Sequence, residues 1–202
     1  MKKGITIITR TSNRPEFFKR CRQSIVEQTG VLFRKGHMVI SDDPADQYHA
    51  RSFVLRVQRR EGRGHNMYFN EVAPIIQGSW YPWVMFLDDD DHLLRPDALR
   101  LITEAMQTED DLILWQVQFP HGRLVPGAAI GMPPQPGNIS GIGFCYHSKH
   151  WVDWVGEPYA DWRVISELYQ SLTPRWIYET LTGLQGEPGH GLRQDKTPAT
   201  IP

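Results

Sequence analysis

The apolar positions of this chain change period along its length, and the changes mark out alternating strands and helices. Residues 4–9 (GITIIT) are a β-branched run that suits a first strand, ending in a polar turn at Arg10, Thr11, Ser12 and Asn13. Asn13 with Pro15 and Glu16 is a helix start. Phe18, Cys21, Ile25 and Val26 then recur at helical spacing up to Gly30, a C-cap signal. Residues 37–41 (HMVIS) make a second strand that runs into Asp42 and Asp43, and residues 52–57 a short third one. Phe69, Val72, Ala73 and Ile76 sit at i, i+3, i+4 and i+7, which predicts an amphipathic helix over residues 66–77. Residues 83–87 (WVMFL) are apolar without interruption, the pattern of a strand buried on both faces of a mostly parallel sheet.

That strand runs straight into Asp88, Asp89, Asp90 and Asp91. The carboxyl end of a strand is where open α/β sheets bind ligands. Two carboxylates ~6 Å apart at an effective dielectric of ~20 repel by roughly 2–3 kcal/mol, so the cluster asks for a cation. Hard divalent ions such as Mg²⁺ or Mn²⁺ take oxygen ligands, and Mg²⁺ is held by one or two carboxylates together with substrate phosphates. The alternative is a solvated acidic turn that caps the helix starting near Pro96. Leu99, Ile102 and Met106 face inward on that helix, and residues 111–119 return as a strand. Residues 120–138 are rich in glycine and proline without a period and read as a long loop over the sheet edge. Residues 139–147 predict a further strand, Asp161 opens a helix whose apolar face is Ile165, Leu168, Tyr169 and Leu172, and residues 176–181 form a last strand. Strands alternating with helices imply an α/β domain with a mostly parallel sheet, and two of its strands deliver acids to one edge.

Bulk numbers narrow this picture. At 202 residues the chain fits one domain. Lysine plus arginine (22) and aspartate plus glutamate (23) nearly cancel, which excludes a broad basic footprint for nucleic acid but leaves room for a local groove. Cys21 and Cys145 stand far apart, so neither a disulfide framework nor a zinc site is expected; they read as reduced thiols in a cytoplasmic protein. The N-terminal residues hold too few apolar side chains for a signal peptide. No run approaches the ~18 apolar residues of a membrane span, so no integral membrane segment is expected.

Three stretches together resemble the family 2 glycosyltransferases of bacterial or phage type, enzymes of the GT-A fold that use nucleoside-diphosphate sugars. ITIITRTSNRPEFFKRCRQSIVEQT (5–29) is similar to the family's first strand, its P-T-x-N-R turn and the following helix. MVISDDPAD (38–46) resembles the second strand with its D-D-G-S-x-D turn. VMFLDDDDHLLRPDAL (84–99) looks like the metal-binding D-x-D segment followed by P-x-x-L. The resemblance implies a GT-A-type, Rossmann-like single domain, with residues 1–119 as its nucleotide-sugar-binding half and residues 120–202 as its acceptor-binding half and tail. It implies that Thr9, Arg10 and Thr11 line the nucleotide site, with Arg10 standing where a proline or small residue is common. Asp43 would approach the base or ribose, with Asp42 beside it. Arg63, Asn66 and Asn70, in EGRGHNMYFNEV, are similar to a G-x-x-x-A-R-N stretch that contacts the nucleotide.

On the same resemblance Asp90 holds the metal, Asp88 is its D-x-D partner and Asp89 lies against the substrate. One extra residue before Pro96 leaves the register open to Asp89 and Asp91. Asp161 resembles the second acid of the family's E-D dipeptide, the catalytic base, although Ala160 replaces the glutamate; Glu157 is the substitute, and an N-cap role for Asp161 is the alternative. His190, in GEPGHGLR, looks like the histidine that completes the metal shell or touches the diphosphate. Trp151, Trp154 and Trp162 either stack on a sugar or base or fill core. The implied activity is inverting, Mn²⁺- or Mg²⁺-dependent transfer of a sugar, first from a UDP-sugar, to a hydroxyl of a glycan, a lipid-linked glycan or a hydroxymethylated phage DNA base. The rivals are a nucleotidyltransferase using a nucleoside triphosphate and Mg²⁺, and a non-catalytic nucleotide-binding protein.

Overall fold

The computed structural model describes residues 4–30, 35–43, 47, 53–58, 65–78, 81–156 and 159–185. In chain order these form β1 (Ile5–Thr11), α1 (Pro15–Val26), β2 (Lys35–Ser41), β3 (Phe53–Arg56), a 3-10 segment (His65–Val72) continuous with α2 (Ala73–Gln77), β4 (Trp83–Phe86) and β5 (Asp91–Leu93). Then come α3 (Ala98–Ala105), β6 (Asp111–Gln118), β7 (Leu124–Val125), β8 (Phe144–His147), α4 (Ala160–Ser171) and β9 (Thr173–Leu184). All strands join one sheet in the order β3-β2-β1-β4-β8-β6-β9-β5, with β7 paired to β6. β1 to β4 are parallel neighbours, as are β6 and β9, whereas β5, β7 and β8 run antiparallel to their partners. This is a single mixed α/β domain with a mostly parallel sheet.

Both faces of the central strands are apolar because both are covered. Ile8, Val84, Phe86, Leu114 and Phe144 face the 3-10 segment, α2 and α4, packing with Phe69, Ile76 and Ile165. Ile7, Trp83, Met85, Leu87 and Trp115 face the other way, onto Cys21 and Ile25 of α1 and Leu99 and Ile102 of α3. All four side chains of β4 are buried, each contributing roughly 1.5–3 kcal/mol by leaving water. Interior strands with two dry faces hold their register firmly, and this rigidity is what the functional edge is built on.

Several elements depart from the sequence reading. β1 continues through Arg10 and Thr11, because both pair in parallel with Ile40 and Ser41 of β2. The expected helix over 66–77 is 3-10 until Val72; Pro74 has no N–H to extend an α ladder backwards and sits in the first turn of α2 instead. α1 stops at Val26, with Glu27 rather than Gly30 as its cap. The strand expected over 139–147 is limited to β8, since Gly143 N–H closes a turn onto the Ser140 carbonyl at 2.9 Å. β9 is longer than residues 176–181, because it pairs along β6 and then with β5. Among the described residues no helix is long and apolar enough to cross a membrane.

Candidate active site

The register of β1 against β4 sets Ile8 opposite Phe86, and the ladder continues as Leu87 N–H to the Ile8 carbonyl (3.0 Å) and Asp89 N–H to the Arg10 carbonyl (3.2 Å). The four aspartates therefore leave the sheet beside the end of β1. They form a tight turn: Asp91 N–H donates to the Asp88 carbonyl at 3.0 Å, and the Asp91 carboxylate accepts the Asp88 N–H at 3.1 Å. β5 starts inside this turn and is pinned to the end of β9. Gln185, just past β9, donates its backbone N–H to the Asp90 carbonyl (2.7 Å) and its side-chain amide to the Asp91 carbonyl (2.8 Å).

The turn sorts its side chains. One carboxylate oxygen from each of Asp88, Asp90 and Asp91 lies within 4.8 Å of the others, a hard-oxygen group that could hold a divalent ion. Burial, then repulsion from Asp88 and Asp90, pushes the Asp91 carboxyl well above the ordinary range. Burial and Asp88 likewise raise Asp90. Asp89 points elsewhere: fully buried, it accepts bonds from the Thr11 hydroxyl (2.7 Å) and Arg14 Nε (3.0 Å). Burial pushes its pKa up to about 7 against the opposing pull of Arg14. The donor set and the mutual repulsion both fit a metal ion.

Two guanidinium groups oppose the acids. Arg10 forks onto both oxygens of Asp88, with Nε 2.9 Å from one of them, donates from Nη1 to Asn66 Oδ1 at 2.8 Å, and lies over the Phe69 ring at 4.4 Å from its centroid. Arg14 forks onto Asp89 and donates from Nη1 to Asp90 at 3.1 Å. Arg10 thus joins Asn66 to Asp88, and Arg14 joins Asp90 to Asp89, which Thr11 also holds. Arg14, Asp91 and Gln185 belong to the same network; the sequence reading offered Asp91 only as the alternative metal register, and Arg14 and Gln185 were absent from it. Arg14 had a usable signal, a cation just beyond the first strand and facing four aspartates, whereas Gln185 depends on the unforeseen length of β9.

The other candidates are placed differently. Thr9 is fully buried, with its hydroxyl 3.0 Å from His37 Nε2 and 3.9 Å from Cys21 Sγ. Asn70 spends its amide on the Trp154 backbone, donating to the carbonyl (2.9 Å) and accepting the N–H (2.8 Å). Asp42 and Asp43 are half-buried at the end of β2, beside the end of β1, and Arg56 of β3 donates to the Asp43 carbonyl at 2.9 Å. Trp154 packs against Phe69, Phe86 and Phe144 as core, and Trp151 edges onto Phe86; Trp162 is half-buried on α4. Arg63, Glu157 and His190 lie outside the described residues.

Asp161 is the second residue of α4, whose N-cap is Tyr159 in a left-handed conformation (φ 63°). Its carboxylate accepts the Trp162 N–H at 2.8 Å and the Gly141 N–H, and burial raises its pKa. Among the described residues no cationic side chain pairs with it. Because β8 runs antiparallel to β4 with Cys145 opposite Met85, the loop before Phe144, including Gly141, lies at the carboxyl end of β4. Asp161 and the acid turn therefore share one sheet edge.

No protein-family model and no curated protein sequence matches the chain. Solved structures do. Staphylococcus aureus TarS (residues 1–349) superposes with a TM-score of 0.68 at 16% identity, over 89% of this chain and 60% of that one. TarS 1–349 in complex with UDP-GlcNAc gives 0.69 at 17%, over 93% and 60%. The mannosyltransferase PcManGT from Pyrobaculum calidifontis, in complex with GDP-Man and Mn²⁺, gives 0.68 at 11%, over 92% and 58%. The chain shares the GT-A-type fold of these structures. At these identities the likeness concerns the fold, and the chain spans about three fifths of each of these structures.

Proposed function

We propose that the protein is an inverting, metal-dependent glycosyltransferase that moves a sugar from a nucleoside-diphosphate sugar to an acceptor hydroxyl. The observation that carries this reading is the pairing, at one sheet edge, of a metal-competent acid turn with a half-buried aspartate that has no cationic partner among the described residues. Asp88 and Asp90 would hold Mn²⁺ or Mg²⁺, with Asp91 as a third oxygen donor. A divalent ion bound there supplies Lewis-acid stabilisation for the charge developing on the leaving diphosphate. Arg10, Thr11, Asn66 and Asp89 shape the phosphate side of the donor site, with Asp42 and Asp43 toward the base and ribose. Asp161 accepts the proton of the acceptor hydroxyl while that oxygen attacks the anomeric carbon opposite the leaving group, so one displacement inverts the centre. No second carboxylic acid is required, unlike in a glycosidase.

Arg63 and His190 are assigned to the nucleotide and the metal or diphosphate. UDP-GlcNAc and GDP-Man, held by structural neighbours, support a nucleotide-sugar donor, with UDP-sugars first. A glycan, a lipid-linked glycan or a hydroxymethylated nucleic-acid base is the acceptor. Cys21 and Cys145, both buried and unpaired with each other, fit a cytoplasmic setting. Incubation with UDP-GlcNAc or GDP-Man and Mn²⁺ tests the reading, with release of nucleoside diphosphate as the expected result. Pyrophosphate release from a triphosphate would instead indicate a nucleotidyltransferase, and binding without any turnover a non-catalytic protein.

A further inference from the structure

Resting on the glycosyltransferase reading, we propose that Arg14 is a donor-positioning residue: it holds Asp90 until a divalent ion arrives, then turns that N–H to the donor's diphosphate. When ionised, the four carboxylates of the turn face two guanidinium groups among the described residues, Arg10 and Arg14, and these leave two of the four negative charges for a divalent ion to meet. The two arginines are anchored differently. Arg10 takes both oxygens of Asp88 while Asn66 and the Phe69 ring hold it from behind, so it is fixed in the wall of the site.

Arg14 takes both oxygens of Asp89, a carboxylate outside the ion-competent group, and extends one bond from Nη1 to Asp90, a carboxylate inside it. An ion on Asp90 and a guanidinium on the same carboxylate repel each other, and the Arg14–Asp90 bond can yield without unseating the fork on Asp89. A donor nitrogen released at a half-buried site loses stabilisation unless another acceptor replaces the first. Diphosphate oxygens on the ion are that acceptor, and the planar fork of arginine suits phosphate. Arg14 thereby couples ion entry to donor binding: it weakens the ion alone and strengthens the ion with its nucleotide.

Titration calorimetry of Mn²⁺ alone, and of UDP and GDP with Mn²⁺ present, on wild type, Arg14→Gln and Arg14→Lys tests this. Arg14→Gln is expected to bind Mn²⁺ alone about tenfold more tightly than wild type, and UDP or GDP with Mn²⁺ about tenfold more weakly. Arg14→Lys, which keeps the charge without the fork, falls between them, and decides alone if Arg14→Gln does not fold. An unchanged Mn²⁺ affinity in the folded variants overturns the proposal while the glycosyltransferase reading stands. If neither wild type nor the variants bind Mn²⁺, the metal-dependent reading itself fails, and this proposal with it.

Discussion

Two groups of carboxylates stand at the same edge of the sheet and are held in opposite ways. The acid turn at residues 88–91 is laced by side-chain cations, with Arg10 on Asp88 and Arg14 on Asp89 and Asp90. Asp161 is held by backbone N–H groups, those of Trp162 and Gly141 among them, and burial raises its pKa. An arginine beside a carboxylate pulls its pKa down against burial, although at Asp89 and Asp90 burial outweighs that pull; at Asp161 the groups opposing burial are backbone N–H donors. The difference suggests how, under the proposed function, one edge divides labour between aspartates: the arginine-bound ones suit charge binding, and Asp161, which has no cationic partner among the described residues, suits a base.

The comparison can be broken at its base first. Asp161→Asn is expected to lower transfer by about 10²–10⁴-fold while donor affinity stays near wild type; near-normal turnover in a transfer assay would remove Asp161 from the chemistry. At the other pole, Asp90→Ala is expected to weaken Mn²⁺-dependent nucleotide binding by about a hundredfold or more, beyond what loss of a supporting group costs. Asp89→Asn, outside the ion-competent group, should keep most Mn²⁺ binding, and calorimetry showing the opposite order would move the metal register by one residue.

A pH profile sharpens the contrast with a smaller effect. If Asp161 is the base as proposed, transfer requires it ionised, so the rate should rise with pH through a midpoint above the ordinary 3.8 and then level off, and a midpoint at or below that value contradicts the burial argument. The same shift has a stability cost of matching sign: the contribution of neutral Asp161 is full below pH 3.8 and is lost as pH rises through the raised value. The smallest functional effect belongs to Asn70→Ala. It should destabilise the fold by about 1–3 kcal/mol, by leaving the Trp154 backbone groups unpartnered, with little change in turnover. A large loss of nucleotide affinity without loss of stability would return Asn70 to the donor site.

What the sequence made legible follows the same division. β4 and the aspartates after it could be read because an uninterrupted apolar run is a local signal, and the start of α4 at Ala160 lies one residue from Asp161. Arg10 and Thr11 read as a turn because their strand character comes from pairing with Ile40 and Ser41, residues distant in sequence. β5, three residues long, exists through its pairing with β9, and Gln185 reaches the turn for the same reason. Short strands take their form from partners more than from intrinsic preference. The charge argument asked for a cation at the turn, and part of the answer was already in the chain, at Arg10 and Arg14.

One experiment bears most directly on the division of labour: thermal-shift measurements with UDP-GlcNAc and GDP-Man, with Mn²⁺ and with EDTA, on wild type, Asp90→Ala and Asp161→Asn. Ligand binding raises the melting temperature according to concentration over affinity. The expected result is a shift in wild type and Asp161→Asn with Mn²⁺, lost with EDTA and in Asp90→Ala. A shift that survives EDTA, or one that disappears in Asp161→Asn, would contradict it.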